Sequence, residues 1–180
     1  YIIITTSILL MAVGIVDDKL NLKATHRLVI QLACAYAITS SGIRLTSLYG
    51  IFGIQELTLF SSYALTIFLV VGVVNAFNLI DGIDGLAGLL ALIGLSVFTY
   101  RAFLLGDTQL TIILTSLIGS VIVFLTYNLG NKKIFLGDGG SLLLGIILVA
   151  TGIQLIELSN TQKAVEVSST ISLVFGVFLI

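Results

Sequence analysis

The sequence predicts an all-α protein, a polytopic bundle of about seven transmembrane helices. Hydrophobic residues make up 58% of the 180 residues and charged residues 9%, against about 25% charged residues in soluble globular domains. The apolar runs are continuous rather than alternating, which favours helices over the strands of a membrane barrel. The formal net charge is −1 and no basic run is present, so no nucleic-acid partner is indicated.

Seven apolar segments approach the roughly 20 residues that a helix needs to cross a bilayer. They are residues 1–16, 28–43, 59–80, 85–105, 109–130, 139–156 and 167–180. The chain begins without a methionine and ends inside an apolar run, so we expect an internal piece of a longer protein, truncated at both ends. No shift in composition marks a second domain, and residues 1–180 are predicted to form a single integral membrane domain.

Counting the predicted spans places three polar loops on one side of the membrane. Two spans separate each of residues 17–27, 81–84 and 131–138 from the next of these loops. Ionisable groups close to hydrocarbon cost about 2.5 kcal/mol or more at the centre of a span, and they indicate a functional site by default. The acids brought to this side are Asp17, Asp18, Asp81, Asp84 and Asp138.

The loops on the other side are residues 44–58, 106–108 and 157–166. Their acids, interpreted as solvated loop charges, are Glu56, Asp107, Glu157 and Glu166. Residues 49–54, rich in aromatic residues and glycine, predict a short interfacial hairpin. Positive charge favours the side with the five aspartates as cytoplasmic, because it has Lys19, Lys23, Arg27, Lys132 and Lys133 against Arg44, Arg101 and Lys163.

Five carboxylates on one face repel one another unless protons or a cation intervene. Magnesium takes one or two protein carboxylates and completes its shell with water and substrate phosphates, whereas calcium prefers six to eight oxygens. A site rich in aspartate, in a chain with one histidine and one cysteine, therefore predicts Mg²⁺, or Mn²⁺, and a phosphorylated substrate.

Two of the three polar segments combine acids with helical spacing. Asp17 and Asp18 are adjacent, so they point about 100° apart on a helix and are expected to do different jobs, such as holding a metal and taking a proton. Asn75, Asn78 and Asp81 recur at intervals of three and line one stripe of a helix. Asparagines there either orient a nucleobase, sugar or phosphate, or join two helices.

The third segment, residues 128–141, places glycines around an acid just before an apolar span. Backbone N–H groups at such a helix start favour anions, so the loop is expected to hold a phosphate while Asp138 holds a metal. Ser141 would cap the helix or contact the phosphate. The alternative is a glycine-rich turn that only caps a helix.

In this order, the three segments make the chain resemble the polyprenyl-phosphate N-acetylhexosamine-1-phosphate transferases. These integral membrane enzymes move a sugar-1-phosphate from a UDP-sugar onto a polyprenyl phosphate and release UMP. The resemblance covers essentially all of the chain and rests on Asp17-Asp18, Asn78-Leu-Ile-Asp81-Gly-Ile-Asp84-Gly and Phe135-Leu-Gly-Asp138-Gly-Gly-Ser141. The middle block is closer to the branch that uses UDP-N-acetylglucosamine than to the branch that uses UDP-MurNAc-pentapeptide, which usually has threonine in place of Ile80.

The resemblance implies a role for each site residue in one catalytic domain. The implied catalytic residues are Asp17, Asp18, Asp81 and Asp84. The implied metal ligands are Asp138, Asp17 and Asp18. The implied substrate-binding residues are Asn78, Asn128, Phe135, Gly137, Ser141 and Lys23, with Phe135 matching a position beside the uracil and Asn128 a polar contact in the same cleft.

The resemblance also implies partners and a location. The partners are a UDP-sugar donor, a polyprenyl phosphate acceptor, the bilayer and a second copy in a homodimer. The location is a bacterial inner membrane with the site facing the cytoplasm, at the first membrane step of cell-envelope polysaccharide synthesis. A cation- or proton-coupled transporter is the alternative from another class, but acids at span ends, on one side and without an internal repeat, favour the enzyme.

Overall fold

The computed structural model describes residues 2–50, 53–131, 134–162 and Val174. The helices in this part of the chain are α1 (Ile2–Leu20), α2 (Ala24–Ser40), α3 (Leu59–Ile80), α4 (Leu86–Leu104), α5 (Thr108–Asn128) and α6 (Gly137–Gln162). The predicted class, a polytopic helical bundle, is confirmed, and six of the seven predicted spans fall on these helices. The seventh, 167–180, lies outside the described residues apart from Val174.

Helices α3 to α6 are long and apolar enough to cross a membrane. Helix α1 ends in the charged residues Asp17, Asp18 and Lys19, and α2 has 17 residues and begins with polar and basic side chains. At 1.5 Å per residue, α2 is a few ångströms shorter than a hydrocarbon core of about 30 Å. We therefore expect the two polar helix ends to lie where the chain leaves the apolar layer.

Helix α6 is the central element of the bundle. About 78% of its most apolar stretch is buried inside the protein, against 22% for α3 and for α5. It packs against α1, α3 and α4. The outer helices expose large apolar side chains, including Phe60, Phe68 and Leu79, as expected for surfaces that contact lipid.

Helices α1 and α6 approach each other most closely at glycines. A Cβ on Gly14 would lie 2.5 Å from the backbone carbonyl carbon and oxygen of Asp138, and a Cβ on Gly139 would lie 3.3 Å from the carbonyl oxygen of Met11. Small residues at such crossings let helix backbones meet directly in a membrane. This contact fixes the start of α6 against the end of α1, which brings two of the acidic segments together.

We expect Gly14→Ala to destabilise the protein by about 3 kcal/mol, the upper end of the range for overpacking, because backbone atoms block the added methyl group. The free energy of unfolding in detergent measures the effect. The matched control is Gly119→Ala in α5, where a Cβ would meet nothing within 4 Å. Equal stabilities of the two variants would contradict the close approach of α1 and α6.

The predicted hairpin forms between α2 and α3. Ser47 and Glu56 make an antiparallel bridge, and Leu48 N donates to Gln55 O at 2.9 Å. The hairpin is attached to α6, because Glu157 accepts hydrogen bonds from Thr46 N at 2.9 Å and Thr46 Oγ1 at 2.8 Å.

The prediction that Glu157 is a solvated loop charge is therefore wrong. Helix α6 continues to Gln162 rather than ending at 156, and Glu157 is half-buried beside the hairpin. Its carboxylate also accepts from Tyr49 Oη at 3.2 Å. Burial and the adjacent carboxylate both raise the pKa of the Tyr49 phenol. The phenol therefore keeps the proton that it donates to Glu157.

Candidate active site

Carboxylates from three parts of the chain meet at one end of the bundle. Asp17 and Asp18 lie in the last turn of α1, Asp81 follows the end of α3, and Asp138 lies in the first turn of α6. We call these four side chains the acidic cluster. The loop arrangement expected from counting spans is present in the structure for these four residues.

Asp17 and Asp138 share one guanidinium group. Arg27 Nη1 lies 2.7 Å from Asp17 Oδ2 and 2.8 Å from Asp138 Oδ2. Asp17 is buried, with 6% of its surface exposed, and its Oδ1 accepts from Leu22 N at 2.7 Å. Asp17 therefore closes the turn between α1 and α2, while Arg27 joins both helices to α6.

The second oxygen of Asp138 is held from α3. Asn78 Nδ2 donates to Asp138 Oδ1 at 2.6 Å and to Ser141 Oγ at 2.9 Å. Ser141 is fully buried, so this amide lies between the carboxylate and the core of α6. Asp138 is thus fixed by side chains from α2 and α3 at once, and its orientation depends on the packing of three helices.

The first backbone N–H groups of α6 bind the other two acids. Asp138 N donates to Asp18 Oδ1 at 3.0 Å, and the backbone N–H of Gly137 lies close enough to Asp81 to lower its pKa. The predicted phosphate-holding amides at 137 and 138 are therefore used by carboxylates in this state. Asp17 and Asp18 have different partners, as expected for adjacent positions on a helix.

Gly137 can take its place only because it lacks a side chain. Its φ is +68°, in the left-handed region that favours glycine. A Cβ there would lie 2.7 Å from Asp18 Oδ2. The group that Gly137 approaches is a carboxylate of the chain itself, and its implied role in substrate binding stays a prediction.

The pKa of Asp81 is raised from 3.8 to about 6. Burial is the main cause; the nearby carboxylates of Asp138 and Asp18 raise the pKa further, and the N–H of Gly137 opposes the shift. The raised pKa of Asp81 therefore reflects its burial beside other carboxylates, while the guanidinium of Arg27 pairs with Asp17 and Asp138.

We expect the stability of the cation-free protein to fall, relative to that of Asp81→Asn, as the pH rises through about 6. The folded state binds this proton more tightly than the unfolded state, so the contribution of Asp81 is full below its ordinary pKa of 3.8 and is lost above the raised value. Unfolding free energies of both proteins, measured across this range with a chelator present, test the sign. Parallel curves would contradict it.

The remaining predicted residues surround the cluster less closely. Asp84 is exposed in the turn before α4, Phe135 is 73% exposed, and Lys23 is exposed at the N-cap of α2. Asn128 is buried and donates from Nδ2 to Ile134 O at 2.8 Å, which fastens the loop that leads to α6. None of the described hydrogen bonds connects Phe135, Lys23 or Asn128 to the acidic cluster.

Sequence reasoning missed the part of Arg27, which it counted only as one of several positive charges near the membrane. It also passed over Gln31, whose Oε1 accepts from Asn75 Nδ2 at 2.7 Å. The available signal was their spacing: Arg27 and Gln31 are four residues apart in the apolar helix α2, and residues at that spacing lie on one face.

The donor set fits a hard divalent cation with few protein ligands. Asp17 and Asp138 face the same point, now occupied by Arg27 Nη1, and can serve as one or two carboxylate ligands. Within the described residues, no three acidic, histidine or cysteine side chains form a closed metal cage. Mg²⁺ needs no such cage, because water and phosphates complete its octahedron.

These features define a multi-pass membrane protein with an acidic and amide-rich site at the edge of its helical bundle. The chain belongs to glycosyl transferase family 4, whose family model matches residues 1–180.

Two bacterial proteins are similar to most of this chain. A protein of Bacillus subtilis (strain 168), named probable undecaprenyl-phosphate N-acetylglucosaminyl 1-phosphate transferase, is 36% identical over 164 residues, which are 91% of this chain and 44% of that protein. The decaprenyl-phosphate N-acetylglucosaminephosphotransferase of Mycolicibacterium smegmatis is 35% identical over 153 residues, 79% of this chain and 38% of that protein.

A third relative is similar to a shorter part of the chain. The phospho-N-acetylmuramoyl-pentapeptide-transferase of Staphylococcus aureus is 42% identical over 63 residues, 35% of this chain and 20% of that protein. The chain spans less than half the length of each of these curated relatives.

Proposed function

We propose that the protein containing this chain transfers a sugar-1-phosphate, GlcNAc-1-phosphate in the first place, from a UDP-sugar to a polyprenyl phosphate and releases UMP. The observation that carries the proposal is the double hold on Asp138, by Arg27 from α2 and by Asn78 from α3. A carboxylate fixed by two helices is preorganised to bind a charged ligand in one position, which is what phosphoryl transfer requires.

The proposed step is an in-line displacement at the phosphorus that bears the sugar. An oxygen of the lipid phosphate attacks, and a new P–O bond forms in the lipid-linked diphosphate. The bond from that phosphorus to the bridging oxygen breaks, and UMP leaves with the oxygen and the electron pair. A bound Mg²⁺, or Mn²⁺, would neutralise charge on the diphosphate oxygens.

The residues of the chain would divide the remaining work. Asp138 and Asp17 are the proposed cation ligands, and both contact Arg27 Nη1 in the free protein. Asp18 and Asp81, held at the start of α6, are the proposed groups that accept a proton from the lipid phosphate or orient it. Displacing either carboxylate would free a backbone N–H for a phosphate oxygen, since helix starts bind anions.

The position of the site at the end of the bundle suits two substrates of opposite solubility. The exposed apolar surfaces of the outer helices would contact the polyprenyl tail, while the nucleotide stays in water. We place this end on the cytoplasmic side of a bacterial inner membrane, on the balance of positive charges predicted for the loops. A homodimer belongs to the same proposal.

UMP release by the purified full-length protein tests the function. The protein is given undecaprenyl phosphate, Mg²⁺ and one donor at a time: UDP-GlcNAc, UDP-GalNAc, UDP-glucose or UDP-MurNAc-pentapeptide. We expect release with UDP-GlcNAc. Release only with UDP-MurNAc-pentapeptide would move the protein to the branch of the Staphylococcus aureus relative, and no release with any donor would overturn the proposal.

A further inference from the structure

A second polar contact joins α2 and α3 one helical turn deeper in the bundle than the acidic cluster. Asn75 Nδ2 donates to Gln31 Oε1 at 2.7 Å and to Val71 O at 2.8 Å. Gln31 follows Arg27 by four residues on α2, and Asn75 precedes Asn78 by three on α3. Residues at these spacings are neighbours on one helix face, so the deeper contact lies directly beside the one that holds Asp138.

The partners of the two amides fix their orientation. Val71 O can only accept a hydrogen bond, so the Asn75 atom facing it is the NH₂ group, and the Gln31 atom facing the same nitrogen is the carbonyl oxygen. Gln31 Nε2 is then left buried with no partner among the described residues, and 1% of the Gln31 surface is exposed.

This arrangement is a poor way to stabilise the bundle. A buried amide with an unused donor destabilises the folded state, whereas two apolar side chains of similar shape would be neutral or better. Stability therefore does not explain why an amide pair occupies this contact. A directional role does, because a hydrogen bond specifies one distance and one angle, while apolar side chains can slide past one another.

The register of α2 against α3 matters directly for Asp138. Its Oδ2 lies 2.8 Å from Arg27 Nη1 on α2, and its Oδ1 lies 2.6 Å from Asn78 Nδ2 on α3. Sliding one helix by about 1 Å would break one of these contacts, and misplacement on that scale can cost about 100-fold in rate.

We infer that Gln31 and Asn75 are positioning residues that hold α2 and α3 in the register at which Arg27 and Asn78 both reach Asp138. None of the described hydrogen bonds joins Gln31 or Asn75 to the acidic cluster, so they act through their neighbours. A test of the inference by turnover rests on the proposed function. A test by the distance between α2 and α3 does not.

The first test replaces both amides in the full-length protein, as Gln31→Leu with Asn75→Leu. We expect an unchanged or higher Tm, a fall in kcat of about 100-fold and little change in KM for the donor, because the folded bundle survives while the reacting geometry is lost. The exchange variant, Gln31→Asn with Asn75→Gln, keeps one long and one short amide and should restore part of the lost kcat.

Thr39→Val is the matched control on α2. Thr39 is also fully buried, but its Oγ1 donates to Ala35 O of its own helix at 2.7 Å, so it holds no other helix and its loss should leave kcat unchanged. The inference fails if the double leucine variant keeps kcat within about twofold, or if its lost turnover is matched by a lower Tm and less folded protein.

The second test measures register without turnover. Spin labels are placed at Val29 on α2 and Leu79 on α3, which are 64% and 81% exposed, with Cys34 replaced by alanine. Pulsed electron paramagnetic resonance should give a narrow distribution of the distance between the two labels in the parent, and a broader or shifted distribution in the double leucine variant. Identical distributions would overturn the inference, even if the parent releases no UMP and the proposed function has already failed.

Discussion

Asp138→Asn is expected to lower cation-dependent UMP release by about 1,000-fold. The substitution keeps the shape of the side chain but removes its negative charge. Both oxygens of Asp138 accept from N–H donors, and in asparagine an NH₂ group, which is itself a donor, takes the place of one of these oxygens. One of the two contacts, to Arg27 at 2.8 Å or to Asn78 at 2.6 Å, must therefore be lost. The measurement is UMP release against Mg²⁺ concentration, together with the direct binding of Mn²⁺.

Asp107→Asn provides the matched control. Asp107 caps α5, at the end of that helix remote from Asn128, and its Oδ1 accepts from Leu110 N at 2.9 Å. Asparagine caps a helix about as well as aspartate, so this variant should keep the turnover and Tm of the parent. If Asp138→Asn also kept near-normal turnover, Asp138 would not be a ligand of the cation.

Arg27→Gln is expected both to destabilise the protein by about 2 to 3 kcal/mol and to stop turnover. Removing one partner of a buried ion pair leaves an uncompensated charge, which is the costly case. Asp17 is 6% exposed and Arg27 23% exposed, so partial solvation of the arginine places the effect below the usual range of about 3 to 5 kcal/mol. Unfolding in detergent at neutral pH, with a chelator present, measures it.

Two further variants separate charge from packing. Adding Asp17→Asn to Arg27→Gln should recover most of the lost stability, because no buried charge then lacks a partner, yet turnover should stay low. Arg44→Gln, which removes an arginine that lies over the Tyr63 ring at 5.5 Å, should cause a much smaller loss. A single Arg27→Gln variant as stable as the parent would contradict the ion pair with Asp17.

Much of the fold followed from hydropathy and loop counting. The boundaries of α3 (Leu59–Ile80) agree with the predicted span, and the hairpin before it was also predicted. These features depend on local composition and on the need to satisfy backbone groups in lipid. The predicted end of α6, at residue 156, is too early, because a glutamate after an apolar run indicates a loop. Glu157 instead accepts hydrogen bonds from the hairpin, and such tertiary contacts are not visible in local composition.

The candidate site was predicted in its acids but not in its connections. Counting crossings was enough to bring Asp17, Asp18, Asp81 and Asp138 to one end, because a membrane-spanning helix reverses the side of the chain at each crossing. It could not indicate that Arg27 bridges two of them, or that carboxylates occupy the first N–H groups of α6. Both depend on side-chain directions and distances between helices far apart in the chain.

By itself, the sequence determined the helical membrane class, the gathering of the acidic cluster at one end of the bundle and the family to which the motifs belong. Only the tertiary structure decided the hydrogen-bond partners. Arg27 and Asn78 donate to the two oxygens of Asp138, and Asn75 donates to Gln31 one turn deeper in the bundle. The reason is physical. Apolar length and crossing number are properties of a segment, whereas a hydrogen bond of 2.6 to 2.8 Å requires the axial register of two helices, which depends on contacts between residues far apart in the sequence.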